Sequence, residues 1–304
     1  MIHQMAPWVP IFVQSVKNHP QPFTPFSFST VDPDTLRPRC RTVVFRDFLF
    51  HDRKTNILTF TTDLRGEKVK EIGSYPGKRG TLAPFEGCFY FPQTGEQYRI
   101  SGSCFVLSEG QLPVVATEYD WKPRGPDVIP YPILAPSVCG HNAGLMETLA
   151  AAHEAELADY RNKAADVRED HSAAQLSRIS TQSSGDDIVL MVQDYRPPSA
   201  REWKLELSRQ WGQLSRNMKS QFRRPHPGTP LTTTMAQKLD KIQRGVDGAG
   251  EDTGRENFGL VCLCVDQVDY LNLKNGSGGE RWRFIRTPDE ITGFETWQEQ
   301  EICP

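Results

Sequence analysis

Between residues 23 and 120 the chain is cut into short runs rich in β-branched and aromatic residues, each closed by a turn signal. The runs are PFSFSTVDP, RCRTVVFRDFLF, ILTFTTD, GKRGTLAPFE, CFYFPQ and EQYRISGSCFVLS. Asp32-Pro33-Asp34, Arg53-Lys54-Thr55-Asn56 and Gln93-Thr94-Gly95-Glu96 stand among the breaks between them. β-Branched and aromatic side chains suit a pleated, half-buried surface, and Gly, Pro, Asn and Asp suit chain reversal. Several strands at this spacing predict an antiparallel barrel or sandwich.

Helical patterns flank that block. Trp8, Ile11, Phe12 and Val16 recur at helical spacing over residues 7–19, with Pro7 suited to a first turn. Residues 66–74 (GEKVKEIGS) read as a short helix between two strands. Over residues 199–222, Trp203, Leu207, Trp211, Leu214, Met218 and Phe222 are spaced by threes and fours. Two closing strands, FGLVCLCVDQVDYLNL and RWRFIRT, surround the Gly/Ser loop at 274–279. The chain therefore reads as one domain over 1–304, with a core from 6–124 and 200–290 and an insert at about 125–200. The insert holds a Pro/Gly-rich loop, an Ala/Glu-rich helix candidate at 146–170 and a Ser-rich polar tether. Residues 238–257 read as a solvated connection. Their glycines are not placed between a strand and a helix, so they make no dinucleotide fingerprint.

Composition narrows the function. With 35 basic and 38 acidic residues the net charge is -3, so the chain as a whole does not attract nucleic acid or anionic membrane. No stripe of aromatics interleaved with basic residues continues around the strands, which argues against a nucleic-acid surface. The seven cysteines, an odd number, include no Cys-x-x-Cys pair, so a zinc site or redox dithiol is not expected. Cys262 and Cys264 flank Leu263 and would share one strand face as small hydrophobes. No window reaches the ~20 apolar residues of a membrane span. The N-terminus has no basic segment followed by an apolar one. The expectation is a cytoplasmic protein.

The residues that carry chemistry lie in Arg41-Thr-Val-Val-Phe-Arg46 and Phe60-Thr-Thr-Asp-Leu-Arg-Gly-Glu-Lys68. At ~3.3 Å per residue Arg41 and Arg46 stand about 16 Å apart, and their odd spacing puts them on opposite faces of a regular strand. One small anion does not reach both, whereas a long ligand with an anionic end and a polar ring end does. Arg65 and Lys68 form a basic fork beside the backbone N–H groups where a short helix begins, a setting suited to a phosphate monoester.

The order RTVVFR, FTTDLRGEK and then Gln97-Tyr-Arg-Ile-Ser-Gly102 resembles the pyridoxamine 5′-phosphate oxidase-like FMN-binding family. The opening APWVPIF, the segment WGQLSRNMKSQFRRPHPGTP and the closing strands look like its eukaryotic and cyanobacterial branch. The resemblance implies a mainly β fold, an antiparallel split β-barrel with flanking helices, that forms a homodimer with FMN at the subunit interface. Carried over by position, Arg41, Lys68 and Thr62 would hold the flavin phosphate, with Arg65 standing in for the family's basic residue where this chain has Glu67. Val43 and Val44 would offer backbone groups to the ring edge, Gln97 would bond the ring, and Arg283 would reach the phosphate across the dimer. Arg46 takes the place of a lysine near the substrate and the reactive ring. The implied activity is an FMN-dependent oxidoreductase acting on a small phosphorylated substrate. The alternatives are a split barrel that binds FMN or another phospholigand without turnover, or an FMN-dependent reductase with a different substrate. Where true pyridoxamine phosphate oxidases carry Arg-x-His near the C-terminus, this chain reads Arg281-Trp282-Arg283.

Overall fold

A computed structural model describes residues 5–73, 82–115, 128–129, 131–136, 195–274, 278–288 and 295–304. The Ala/Glu-rich helix candidate and the Ser-rich tether lie outside the described residues.

Helix α1 (Trp8–Asn18) opens the chain and buries Trp8, Val9, Phe12 and Ser15 along one face. Strands β1 (Thr24–Val31), β2 (Pro38–Phe45), β3 (Asp47–Phe48) and β4 (Ile57–Asp63) follow. Helix α2 (Glu67–Gly73) then leads into β5 (Ala83–Phe91) and β6 (Glu96–Leu107). The runs APFE and CFYF, separated in the sequence reading, form the single strand β5. After the short pair β7 (Val114–Val115) and β8 (Val128–Ile129) come α3 (Ala200–Gly212) and α4 (Arg216–Gln221). A capping box sets the start of α3: Ser199 Oγ accepts from the Glu202 N–H, and the Glu202 carboxylate accepts from the Ser199 N–H. A further helix, α5 (Thr233–Gln243), capped by Thr232, runs into the stretch read as a solvated connection. Only Ile242 of α5 is buried, which explains why its apolar periodicity is faint. Strands β9 (Phe258–Asn272), β10 (Glu280–Pro288) and β11 (Glu295–Ile302) close the chain. β11 carries no strand signal in the sequence, because its exposed acidic and amide residues lack strand alternation.

The main sheet is antiparallel in the order β11-β10-β9-β6-β5-β1-β2, with β4 bonded to the other edge of β9. It curls until β2 lies beside β4, where the Arg46 N–H donates to the Thr59 carbonyl at 2.9 Å. Tyr98, Ile100, Phe26, Phe28, Phe60 and Phe89 fill the inside. A second cluster covers the outer face of β4, β6 and β9 with Trp203, Leu207 and Trp211 of α3. The first half of β9 is therefore buried on both faces, which accounts for its unbroken apolar run FGLVCLCV. Cys262 and Cys264 share one face in that second cluster, where burial pushes both thiols up.

β9 is the spine of the sheet. One edge pairs with β6 along nearly its whole length, while the other pairs with β4 over 258–264 and with β10 over 267–272. At the changeover the register shifts, Ser101 pairing with Gln267 and Gly102 with Val265, so β9 carries an extra residue. A Cβ on Gly102 would overlap the Cys264 carbonyl oxygen and sit 2.9 Å from the Asp266 nitrogen. Only glycine lets the two backbones approach this closely. Gly102→Ala is expected to cost about 3 kcal/mol, by the scale of overpacking in a tight core. Gly110→Ala, where a Cβ meets nothing within 4 Å, should leave Tm nearly unchanged. Thermal unfolding of the two variants side by side checks the assignment; equal Tm values would refute it.

Candidate functional site

The two arginines that bracket β2 lie on opposite sides of it. Arg41 faces the inner core, its guanidinium 5.7 Å from the Phe28 ring centroid. Its Nη1 donates to Thr30 Oγ1 (2.6 Å) and to the Arg39 carbonyl (3.0 Å), and its Nη2 to Glu71 Oε2 (2.5 Å). Thr30 also donates to Glu71. Lys68 joins the same end: its Nζ donates to Thr62 Oγ1 at 3.1 Å. Burial, and then the Arg41 charge, hold the Lys68 ammonium below the usual lysine range. No carboxylate pairs with Lys68 among the described residues. Thr62 and Lys68 meet because β4 runs straight into the Asp63–Gly66 turn and α2. Gly66 keeps this turn open; a Cβ there would lie 3.3 Å from Lys68 Nζ.

The sequence alone does not mark Glu71 as a site residue. It lies three residues beyond Lys68 on α2, the spacing that puts two side chains on one helix face, and this spacing was the available signal. Together Arg41, Lys68, Thr62, Thr30 and Glu71 make a compact, half-buried basic site with one internal acid.

Arg65 is placed differently from the sequence reading. Its Nε and Nη2 grip both Asp63 carboxylate oxygens at 2.9 and 2.6 Å. Its Nη1 and Nη2 reach the carbonyls of Arg224 (3.0 Å) and Phe222 (3.2 Å). The guanidinium thus ties the β4–α2 turn to the chain leaving α4 and does not extend beside Lys68. The Gly66 N–H, expected to be free for an anion, donates instead to the Asp63 carbonyl.

Arg46, one residue beyond β2, stands on the outer side against α4. Its Nη2 has only the Met218 sulfur at 3.5 Å, and its Nε is buried without a partner. Burial lowers its pKa, and no carboxylate counters the effect. Val43 and Val44 are half-buried between Arg41 and Arg46, and Val43 packs on the inner core. β2 has one ladder partner, β1, among the described residues, so its other edge opens toward β4 beyond the single Arg46–Thr59 bond. That edge offers backbone groups to a planar ligand.

Gln97 and Arg283 do not join this group within one chain. Gln97 alternates with the buried Tyr98 and so faces outward on β6, paired with Tyr90 of β5, and continuing the β5–β1 register beyond its last pair sets it in line with Pro25 and Val44. Three strand spacings, about 14 Å, separate it from Val44. Arg283 is on β10, its Nε buried without a partner. Beside it Asp269 receives Arg281 through Nε (2.9 Å) and Nη2 (2.8 Å), and Arg99 through Nη2 (2.7 Å). The Arg281 bond holds the Asp269 carboxyl below the usual carboxylate range.

Ion pairing sorts the arginines. Arg41, Arg65, Arg99, Arg209, Arg223, Arg281 and Arg286 each meet a carboxylate. Arg46, Arg224 and Arg283 combine a buried, unsatisfied Nε with no carboxylate partner among the described residues. A guanidinium held partly out of water without a counter-ion is costly, and an anion is its natural complement. No group of His, Cys, Asp and Glu suited to a metal ion is present among the described residues. None of their helices is long and apolar enough to cross a membrane.

The comparisons fit this geometry. The family model described as Pyridoxamine 5'-phosphate oxidase, FMN-binding domain, matches residues 5–108, the span that carries Arg41 to Lys68 and Gln97. The Saccharomyces cerevisiae protein named Uncharacterized protein YGR017W is 46% identical over 311 residues, spanning 100% of both chains. Pyridoxine/pyridoxamine 5'-phosphate oxidase 2 of Arabidopsis thaliana is 38% identical over 71 residues, 23% of this chain and 31% of that protein. A pyridoxamine 5'-phosphate oxidase-related, FMN binding protein from Nostoc punctiforme PCC 73102 superposes with a TM-score of 0.54 at 21% identity, covering 99% of this chain and 100% of that one. PhzG from Burkholderia lata 383, in complex with tetrahydrophenazine-1-carboxylic acid, gives 0.50 at 12% identity, covering 99% and 94%. The last two establish likeness of fold alone. With the curled, split sheet and the full-length relative in hand, the chain belongs to the pyridoxamine 5′-phosphate oxidase-like FMN-binding family.

Proposed function

We propose that this protein is a cytoplasmic, homodimeric FMN-dependent oxidoreductase whose substrate is a small anionic molecule. The observation that carries the reading is the open β2 edge with a basic, half-buried site at one end and the unpaired Arg46 at the other. Arg41, Lys68 and Thr62 hold the FMN phosphate; Glu71 keeps Arg41 extended toward it. Val43 and Val44 offer backbone groups to the flavin edge. Arg46, lacking a carboxylate of its own, orients an anionic group of the substrate over the ring. FMN, when bound, supplies the hydride-accepting chemistry; the chain supplies position and charge. The outer faces of β5, β6 and β10 present Tyr90, Gln97 and Arg283 to a second copy, which brings the last two to the partner's flavin.

The same geometry weighs against a vitamin B6 vitamer as the substrate. The first arginine of the family's Arg-x-His falls at Arg281, which Asp269 holds through two donors. The histidine position is Arg283.

Purified protein is expected to be yellow with a flavin absorption spectrum, and to sediment as a dimer. Arg41→Ala with Lys68→Ala should weaken FMN binding about 100-fold or more, from the loss of two charge-assisted contacts; full flavin retention would refute the phosphate assignment. Anaerobic pyridoxamine 5′-phosphate should leave the flavin unbleached, and bleaching that reverses in air would restore the vitamin B6 reading.

The Lys68 shift adds a pH dependence. An anion binds best while the ammonium is charged, so affinity falls as pH rises through the folded pKa of Lys68, which lies below the ordinary lysine range. FMN titrations at increasing alkaline pH should show that decline, and Lys68→Arg should move it to higher pH.

A further inference from the structure

The arginines at the end of α4 do not share one environment. Arg223 grips Asp247 through Nε (2.6 Å) and Nη2 (3.1 Å) and is neutralised. Arg224, next in sequence, is half-buried, and its guanidinium makes no hydrogen bond or ion pair with the described residues. Its backbone is fixed: the Arg224 N–H donates to the Gln221 carbonyl at 3.3 Å, and the Arg224 carbonyl accepts from Arg65 at 3.0 Å. The neighbouring Phe222 is anchored against Trp211 and Phe258, with ring centroids 5.6 and 5.4 Å away. A fixed backbone, tied through Arg65 to the β4–α2 turn that joins Thr62 to Lys68, therefore carries an uncompensated cation.

We infer that Arg224 is a further anion-binding residue of the β2–β4 site, that it recognises a phosphate monoester, and that Arg65 is its positioning residue. The inference rests on the FMN reading for the identity of the cofactor, but not for the anion site itself. It assigns the second basic group at this end of the site to Arg224 in place of Arg65, whose donors are engaged by Asp63 and by two carbonyls. A phosphate monoester carries close to two negative charges at neutral pH. Arg41 is already shared with Glu71, and Lys68 is depressed by burial. Arg224 supplies charge that neither of them provides in full. The phosphate is either that of the cofactor or that of a substrate, and the two differ in what the flavin alone reports.

The test titrates flavin-free full-length protein with FMN and with riboflavin, which lacks the phosphate, and titrates the FMN-loaded protein with inorganic phosphate. If Arg224 holds the cofactor phosphate, Arg224→Gln weakens FMN about 10- to 100-fold and leaves riboflavin unchanged. Arg224→Lys should recover part of the loss. If it holds a substrate phosphate, FMN and riboflavin are unaffected and inorganic phosphate binds the loaded variant more weakly. Arg65→Met should reproduce whichever defect is seen, in a reduced form, because the Arg224 backbone loses its anchor. A merely structural role would weaken both flavins alike. That outcome, or Arg224→Gln indistinguishable from wild type with all three ligands, overturns the inference. Should the wild type fail to bind FMN at all, the functional reading falls by itself. Inorganic phosphate binding to the free protein, with and without Arg224→Gln, then decides the anion site.

Discussion

Everything in this fold hangs on one strand serving two partners along the same edge. β9 gives one side to β6 and divides the other between β4 and β10, with the changeover at the extra residue near Asp266. A bulge increases local twist and bends the strand, so the two halves cannot present the same edge direction. The bend lets β4 leave the plane followed by β10 and return beside β2, closing the barrel with little more than one hydrogen bond. Gly102 is the steric condition for that bend. An open β2 edge, and hence a place for a flat ligand, follows from how β9 is shared rather than from any residue in the site.

Around that opening the chain compensates charge selectively. Arg209, the most deeply placed arginine, is held by Glu206 and Asp47 and serves to lock α3 onto the β3–β4 corner. Arg99 and Arg281 share Asp269. Where a guanidinium has structural work it has an acid within about 3.2 Å. The exceptions, Arg46, Arg224 and Arg283, carry buried Nε atoms that the fold itself does not satisfy. Such groups lower stability unless something else completes them, and polar interiors tolerate them chiefly where a ligand or a second subunit does so. Arg46 stands beside the β2–β4 opening, Arg224 follows α4 where Arg65 holds its carbonyl, and Arg283 stands on the outward side of the sheet.

Much of this was readable from the sequence. The strand runs, the helix over 7–19, the short helix after Arg65 and the order of the three family segments all depend on local spacing, and local spacing survives into the fold. Thr62 and Lys68 meet because β4 runs through a short turn into α2, and Arg41 joins them through Glu71 of the same helix. Arg65 could not be placed from spacing alone: its partners, Phe222 and Arg224, lie some 160 residues further along the chain. The joining of two runs into β5 needed the β6 ladder, and β11 needed β10. The helix at 233–243 buries too little of itself to leave an apolar period. What the sequence left hidden was pairing between distant segments, above all which cations already have an anion.

That difference bears on specificity more than on cofactor binding. A flavin phosphate needs charge and backbone at one end, and the β2–β4 end has both. The resemblance sets the Arg-x-His of the family's vitamin B6 enzymes at Arg281 to Arg283 on β10. Here the arginine of that pair is withdrawn by Asp269 at 2.8 and 2.9 Å, and a second arginine occupies the histidine position. An imidazole can donate, accept or lose a proton near neutrality; a guanidinium can only donate and stays charged. Replacing one by the other removes an acceptor and adds a fixed positive charge. A ligand that reached Arg283 would meet a fixed donor and positive charge in place of a group able to exchange a proton.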